Sequence, residues 1–258
     1  MKASILIPTY NAQSFLEQTL ESCVLQGTEY VHEIIVIDDH SEDRTINVAQ
    51  EFTKSQPDYN FVIETNPKKG ACSARNYALS LASGHAIQWL DADDILGEGK
   101  LQRQLSLLCS NPEFLIASKW RRFSGNLTNL HPEEKGNWTE VPNTSSPTEW
   151  VFSERMMIPA GWLGTAAIFR KTGPWDESLQ INQDGEFFTR AIAASQGVIF
   201  EPFSRVYYRS GISGSVSQFH PKKALSLLLF RKSRLLHLSL VWLLGSRGLV
   251  QLETQRIL

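Results

Sequence analysis

Three runs early in the chain, residues 3–7, 33–37 and 85–90, are apolar at nearly every position, so a strand built from any of them has no face to offer water. Strands of that kind belong to parallel sheets, where crossover helices cover both sides. The segments between them carry the crossovers. Ser14 and Glu17 have capping-box spacing, and Leu16, Leu20, Cys23 and Val24 then recur at helical intervals up to Gly27. Ser41 is placed to cap a helix over residues 43–52, residues 60–64 form a weaker third strand, and Gly70 opens a helix running to Ala82. Successive β–α units imply right-handed crossovers and a mainly parallel, doubly wound α/β sheet with helices on both faces.

A chain of 258 residues with 42% apolar and 20% charged side chains can bury a substantial core unaided. Its 25 basic and 27 acidic residues leave a net charge of −2, which gives no electrostatic footprint for nucleic acid. Cys23, Cys72 and Cys109 match neither a disulfide framework nor a zinc pattern and read as reduced thiols. The run after Met1 goes straight into Pro8-Thr9-Tyr10-Asn11 without a cleavage-site pattern, so it reads as a strand rather than a signal peptide. A cytoplasmic protein is expected, and the sequons at Asn126, Asn137 and Asn143 then carry no glycan.

Further along, residues 124–148 are rich in Asn, Pro, Thr, Gly and Glu and read as a long variable loop. Order resumes over residues 165–170, followed by a helix over 185–194 and two strands near 198–201 and 206–209. Residues 224–244 are dense in leucine, but Arg231, Lys232, Arg234 and His237 interrupt them. That breaks the ~18 uninterrupted apolar residues a spanning helix needs. The expectation is a helical extension over residues 221–258 that packs on the domain or on a partner, or rests peripherally on the inner membrane face.

In open α/β sheets, ligands bind outside the carboxyl ends of the strands. Asp38 and Asp39 end the second strand and Asp91, Asp93 and Asp94 end the fourth, so two carboxylate clusters share that edge. Carboxylates side by side disfavour their charged forms unless a cation is present. Magnesium or manganese, which take oxygen ligands and sit between carboxylates and a substrate diphosphate, resolve that conflict.

Ile5-Leu6-Ile7-Pro8-Thr9-Tyr10-Asn11, Ile34-Ile35-Val36-Ile37-Asp38-Asp39-His40-Ser41, Gly70-Ala71-Cys72-Ser73-Ala74-Arg75-Asn76 and Leu90-Asp91-Ala92-Asp93-Asp94 together resemble the family 2 glycosyltransferases in order and spacing. The resemblance covers residues 3–217 and implies the GT-A fold, a nucleoside-diphosphate-sugar donor, UDP-sugar first, and inversion at the anomeric carbon. It further implies that Pro8, Thr9 and Tyr10 frame the nucleobase, that Asp39 bonds the base, and that Arg75 lies near the nucleotide. Asp91 falls near the ribose or donor sugar, and Asp93 binds the divalent metal. The family's late acidic pair reads here as Gln183-Asp184, a departure that leaves Asp184 as the expected catalytic base and Glu186 as its understudy. Trp162 is either an acceptor-stacking or a core aromatic. After Tyr207-Tyr208-Arg209, the serines and glycines of residues 210–217 suit a lid over the donor phosphates, with His220 a weaker metal candidate.

The chain thus reads as a catalytic domain over residues 1–220, divided into a nucleotide-sugar half (1–119) and an acceptor half (120–220), acting on a glycan or lipid-linked acceptor hydroxyl. Two rivals are a sugar-nucleotide nucleotidyltransferase and a non-catalytic scaffold of the same fold. The first wants a basic glycine-rich loop after strand one, where this chain has Pro8-Thr9-Tyr10-Asn11; the second has no use for Asp39, Asp93 and Asp184 together.

Overall fold

Residues 1–131, 143–152, 157–180 and 182–211 are described by a computed structural model. The chain begins β1 (Ala3–Thr9), α1 (Leu16–Val24), β2 (Val31–Asp38), α2 (Thr45–Lys54), β3 (Phe61–Thr65), α3 (Ala71–Leu81) and β4 (Ala86–Trp89). These strands pair in parallel in the order β3-β2-β1-β4. Alternation along β1 sends Ile5 and Ile7 to a core closed by Leu16 and Leu20 of α1 and Phe52 of α2, and sends Leu6 to the opposite core with Ala74 and Ala78 of α3. Both faces are therefore covered, as the continuous apolar runs require.

Beyond β4 the chain adds β5 (Ile95–Leu96), α4 (Lys100–Ser110), β6 (Leu115–Phe123), β7 (Thr144–Ser145), α5 (Pro147–Phe152), a 3-10 turn at Pro159–Gly161, β8 (Trp162–Thr165), α6 (Ala166–Thr172), α7 (Gln183–Ala194) and β9 (Val198–Arg209). β8 enters between β4 and β6, antiparallel to both, while β9 runs parallel to β6 and antiparallel to β5 and β7. The sheet is mostly parallel, with its antiparallel contacts confined to this later part. The boundary expected at Lys119 and Trp120 falls inside β6, so both halves share one sheet.

Several local expectations are corrected. No side chain caps α1: the Phe15 and Leu16 N–H groups donate to the Ala12 carbonyl, and Ser14 is exposed. α2 starts at Thr45, whose N–H donates to Asp43 Oδ1 at 2.9 Å, and Ser41 Oγ instead accepts from the Asn11 N–H at 2.9 Å. The segment read as loop over 124–148 ends in β7 and the start of α5. The two late strands are one, β9, interrupted by a bulge where Ser118 faces Glu201 and Lys119 faces Arg205. The Glu201 carboxylate accepts the Phe203 N–H at 3.1 Å and also the Ser204 N–H, which stabilises the bulge. Among the described residues, no helix is long and apolar enough to cross a membrane. The expected helical extension, the lid segment past Gly211 and His220 lie outside the described residues.

Candidate functional site

The register of Leu6 with Trp89 and of Thr9 with Asp38 brings the carboxyl ends of β2, β1 and β4 side by side. Pro8, near the end of β1, gives no N–H to the ladder there. Thr9 is buried, and its hydroxyl donates to Asp38 Oδ1 and the Ile37 carbonyl at 3.4 Å each. Asp38 closes the following turn by accepting the Ser41 N–H at 3.0 Å. Asp39 accepts Asn66 Nδ2 at 2.7 Å and the Gly70 N–H at 2.8 and 3.0 Å, which fixes its carboxylate at the mouth of α3. Tyr10 remains 50% exposed, with Lys69 Nζ 5.8 Å from its ring centroid, so its ring is available at the rim.

Non-glycine residues with left-handed backbone gather at this edge. Asn11 (φ 48°) follows β1, His40 (φ 63°) follows β2, and Asn182 (φ 56°) precedes α7. Strained backbone of this kind persists where the surroundings over-determine it. Here those surroundings include the Asn11 side chain, which accepts the Glu42 N–H at 2.8 Å and ties the two turns together.

Arg75, on α3, joins the turn after β4 to α7. Its Nη2 donates to Asp91 Oδ1 at 2.8 Å, its Nη1 to Gln183 Oε1 at 3.1 Å, and its guanidinium lies 4.7 Å over the Trp175 ring. Trp175 stacks in turn on Phe187 of α7, at 4.0 Å and 6°. Burial works against the Arg75 charge, but the Asp91 carboxylate, with Cys72 and Asp184, outweighs it and raises its pKa. Arg75 thus meets one full carboxylate in Asp91 and a neutral acceptor in Gln183.

Burial, and after it the Asp91 charge, pushes the Asp93 carboxyl up to about 6. Asp94 is fully buried and its pKa is raised well above the usual range, first by burial and then by Asp93 and Asp91; its Oδ2 has no partner. Arg209 opposes both rises without cancelling them. Among the described residues, no three or more His, Cys, Asp or Glu side chains are grouped to hold a metal by themselves. The donor set still fits a hard cation that takes one carboxylate here and completes its shell with diphosphate oxygens and water.

Asp184 lies in the first turn of α7, its pKa raised chiefly by burial, with the Gly185 N–H and Arg75 opposing and Asp91 reinforcing the rise. Glu186 is committed elsewhere, in a two-pronged pair with Arg190 at 2.6 and 2.7 Å. Its role as understudy base is therefore corrected. So is the acceptor-stacking reading of Trp162, which is 1% exposed and stacked on Phe188 in the core.

The family profile described as Glycosyl transferase family 2 matches residues 4–173. The chain belongs to glycosyl transferase family 2. Among similar proteins, the UDP-Glc:alpha-D-GlcNAc-diphosphoundecaprenol beta-1,3-glucosyltransferase WfgD of Escherichia coli is 40% identical over 109 residues, 42% of this chain and 41% of that one. S. aureus TarS, solved with UDP-GlcNAc, superposes with a TM-score of 0.74 at 17% identity over 90% of this chain and 66% of the other. The mannosyltransferase PcManGT of Pyrobaculum calidifontis, in complex with GDP-Man and Mn2+, gives 0.63 at 16% identity over 83% and 58%. The fold is the GT-A fold of this family. Matched stretches span well under two thirds of the first curated relatives, 42% of one and 11% of another.

Within the family 2 frame, two features had no signal in the motifs. Asn66 and the Gly70 N–H hold Asp39, yet Asn66-Pro67 reads as a plain strand stop. Trp175 sits in Gly173-Pro174-Trp175-Asp176 without any periodicity, and Asn76 pins it there by accepting its N–H at 2.7 Å. Arg209, adjoining the expected lid, turns inward to the Asp93 turn.

Proposed function

We propose that this chain is the catalytic part, residues 1–220, of an inverting, divalent-metal-dependent glycosyltransferase that moves a sugar from a nucleoside-diphosphate donor, UDP-sugar first, to an acceptor hydroxyl. The observation that carries the reading is the Arg75 bridge, which ties Asp91 at the end of β4 to the first turn of α7 beside Asp184. A donor site and a base are thereby held in one rigid frame.

Each residue then has a task its environment suits. Asp39, an acceptor-only carboxylate with its orientation fixed, recognises a base that presents a ring N–H, as uracil and guanine do, whereas cytosine and adenine present only an exocyclic amino group. Thr9 and Pro8 shape the floor of that pocket, and the Tyr10 ring borders the base. Arg75 and Asp91 orient the sugar and its phosphate. Asp93 would hold Mn2+ or Mg2+, which when bound supplies Lewis-acid stabilisation of the leaving diphosphate. Asp184 takes the proton of the attacking hydroxyl, and burial raises its pKa in the direction that makes a carboxylate a better base. The TarS complex with UDP-GlcNAc and the PcManGT complex with Mn2+ support donor and metal classes at this fold.

The acceptor is a glycan or lipid-linked saccharide met at the cytoplasmic face of a membrane. Support comes from the basic, leucine-rich sequence after residue 220 and from the diphosphoundecaprenol-linked substrate in the WfgD name. Thermal shift against UDP, GDP, dTDP and ADP, each with and without Mn2+, tests the donor reading. UDP with Mn2+ is expected to raise the melting temperature most; equal, negligible shifts for all four would remove the reading.

A further inference from the structure

We infer that Arg209 is the positioning residue that fixes the Asp93 backbone for its ligand, an inference that rests on the donor-site reading above. Arg209 ends β9 and is 6% exposed. Its N–H donates to Asp94 Oδ1 at 3.0 Å and its Nε to the Asp93 carbonyl at 2.9 Å. Nη1 donates to the Gly125 carbonyl and Nη2 to Gln18 Oε1, both at 2.6 Å. The guanidinium plane is held between Phe15, 4.9 Å away, and Phe123, 4.4 Å away. One side chain thus binds α1, the end of β6 and the turn after β4 to a single point.

That turn needs such a point. The Thr19 hydroxyl lies 2.9 Å from the carbonyl oxygens of both Ala92 and Asp94, and Asp94 N–H closes on the Asp91 carbonyl at 3.1 Å. The carbonyl between them, that of Asp93, is taken by Arg209. With its backbone held on both sides, the Asp93 carboxylate can move only about its own side-chain torsions, which is the preorganisation a ligand for a hard cation requires. Every donor direction of the guanidinium named above points into the protein, so Arg209 acts through Asp93 rather than on the donor phosphates. A lysine keeps the charge but lacks the planar fork that reaches these three separate acceptors, so Arg209→Lys isolates the geometric contribution.

Calorimetric titration of UDP with and without Mn2+ separates this role from plain stability. The quantity read is the ratio of the two dissociation constants. For Arg209→Lys and Arg209→Ala that ratio is expected to fall about tenfold or more, while metal-free UDP affinity stays within about threefold, because groups that orient a metal ligand typically contribute ~10–100-fold in metal affinity. Gln18→Ala, at a half-buried helix position, leaves Arg209 in place with one anchor fewer and is expected to lower the ratio a few-fold. A wild-type ratio in Arg209→Lys and Gln18→Ala, or an equal loss of affinity with and without Mn2+, would overturn the inference. If the wild-type protein itself showed no Mn2+ enhancement, the donor-site reading would fail first and the inference with it.

Discussion

Lys100 lies fully buried at the start of α4, its ammonium donating to the side-chain carbonyls of Gln88 and Gln104. Those amides pass the bonding on, Gln88 Nε2 to the Ala160 carbonyl at 2.9 Å and Gln104 Nε2 to the Ile116 carbonyl at 3.2 Å. Three polar side chains thereby satisfy the backbone where β8 is wedged between β4 and β6. Burial, opposed in part by the Glu201 carboxylate, pulls the Lys100 pKa down from 10.5 to about 7. The unfolded chain therefore binds more protons than the folded one between those values, and stability rises with pH across that window. Below it the cost is constant. Lys100→Met removes this contribution, so the melting temperature of the wild type relative to the variant should climb steadily from pH 7 to pH 10. Parallel melting curves over that range would show that Lys100 titrates normally.

At the scale of elements, α3 is the piece on which the proposed donor site hangs, and its first turn depends on Gly70. The residue has φ 135° and ψ 141°, a conformation closed to side chains, although a Cβ there would meet nothing within 4 Å. Its cost on substitution is therefore conformational, on the order of 1–3 kcal/mol. Gly70→Ala should lower the unfolding free energy by that amount, read as a lower denaturant midpoint, and weaken UDP binding several-fold, because the N–H that holds Asp39 shifts with the backbone. Unchanged midpoint and affinity would mean that the turn relaxes freely.

The β–α alternation, the burial of both sheet faces and the carboxylates at the strand ends could all be read from periodicity, because each is encoded within a few adjacent residues. Helix starts were less legible. Ser14 and Ser41 have capping spacing, but Ala12 and Asp43 supply the acceptors once β1 and β2 bring their turns together. The late sheet order was hidden for the same reason: β8 follows a 3-10 turn and inserts beside β4, a pairing made at long range. Glu186 and Trp162 looked available because sequence shows neither the Arg190 partner's grip nor the Phe188 ring.

For the molecule as a whole, one sheet runs through both parts of the chain, and Arg75 links the turn after β4 to the first turn of α7, where the proposed base stands. The membrane proposal belongs at this scale as well. Charge reversal of Arg231, Lys232 and Arg234 in the full chain should reduce co-sedimentation with anionic vesicles, each basic residue near the surface being worth ~1 kcal/mol; equal recovery would refute it. The central claim is that Asp39 and Asp93 bind a metal–nucleotide donor while Asp184 serves the chemistry. UDP titration in Mn2+ against the wild type, Asp39→Ala, Asp93→Ala and Asp184→Asn tests it most directly. Asp39→Ala should lose affinity with or without metal, Asp93→Ala should lose the metal-dependent part alone, and Asp184→Asn should bind as the wild type does while transferring sugar ~10²-fold or more slowly. Equal UDP affinity in all four proteins, or near-native transfer by Asp184→Asn, would contradict it.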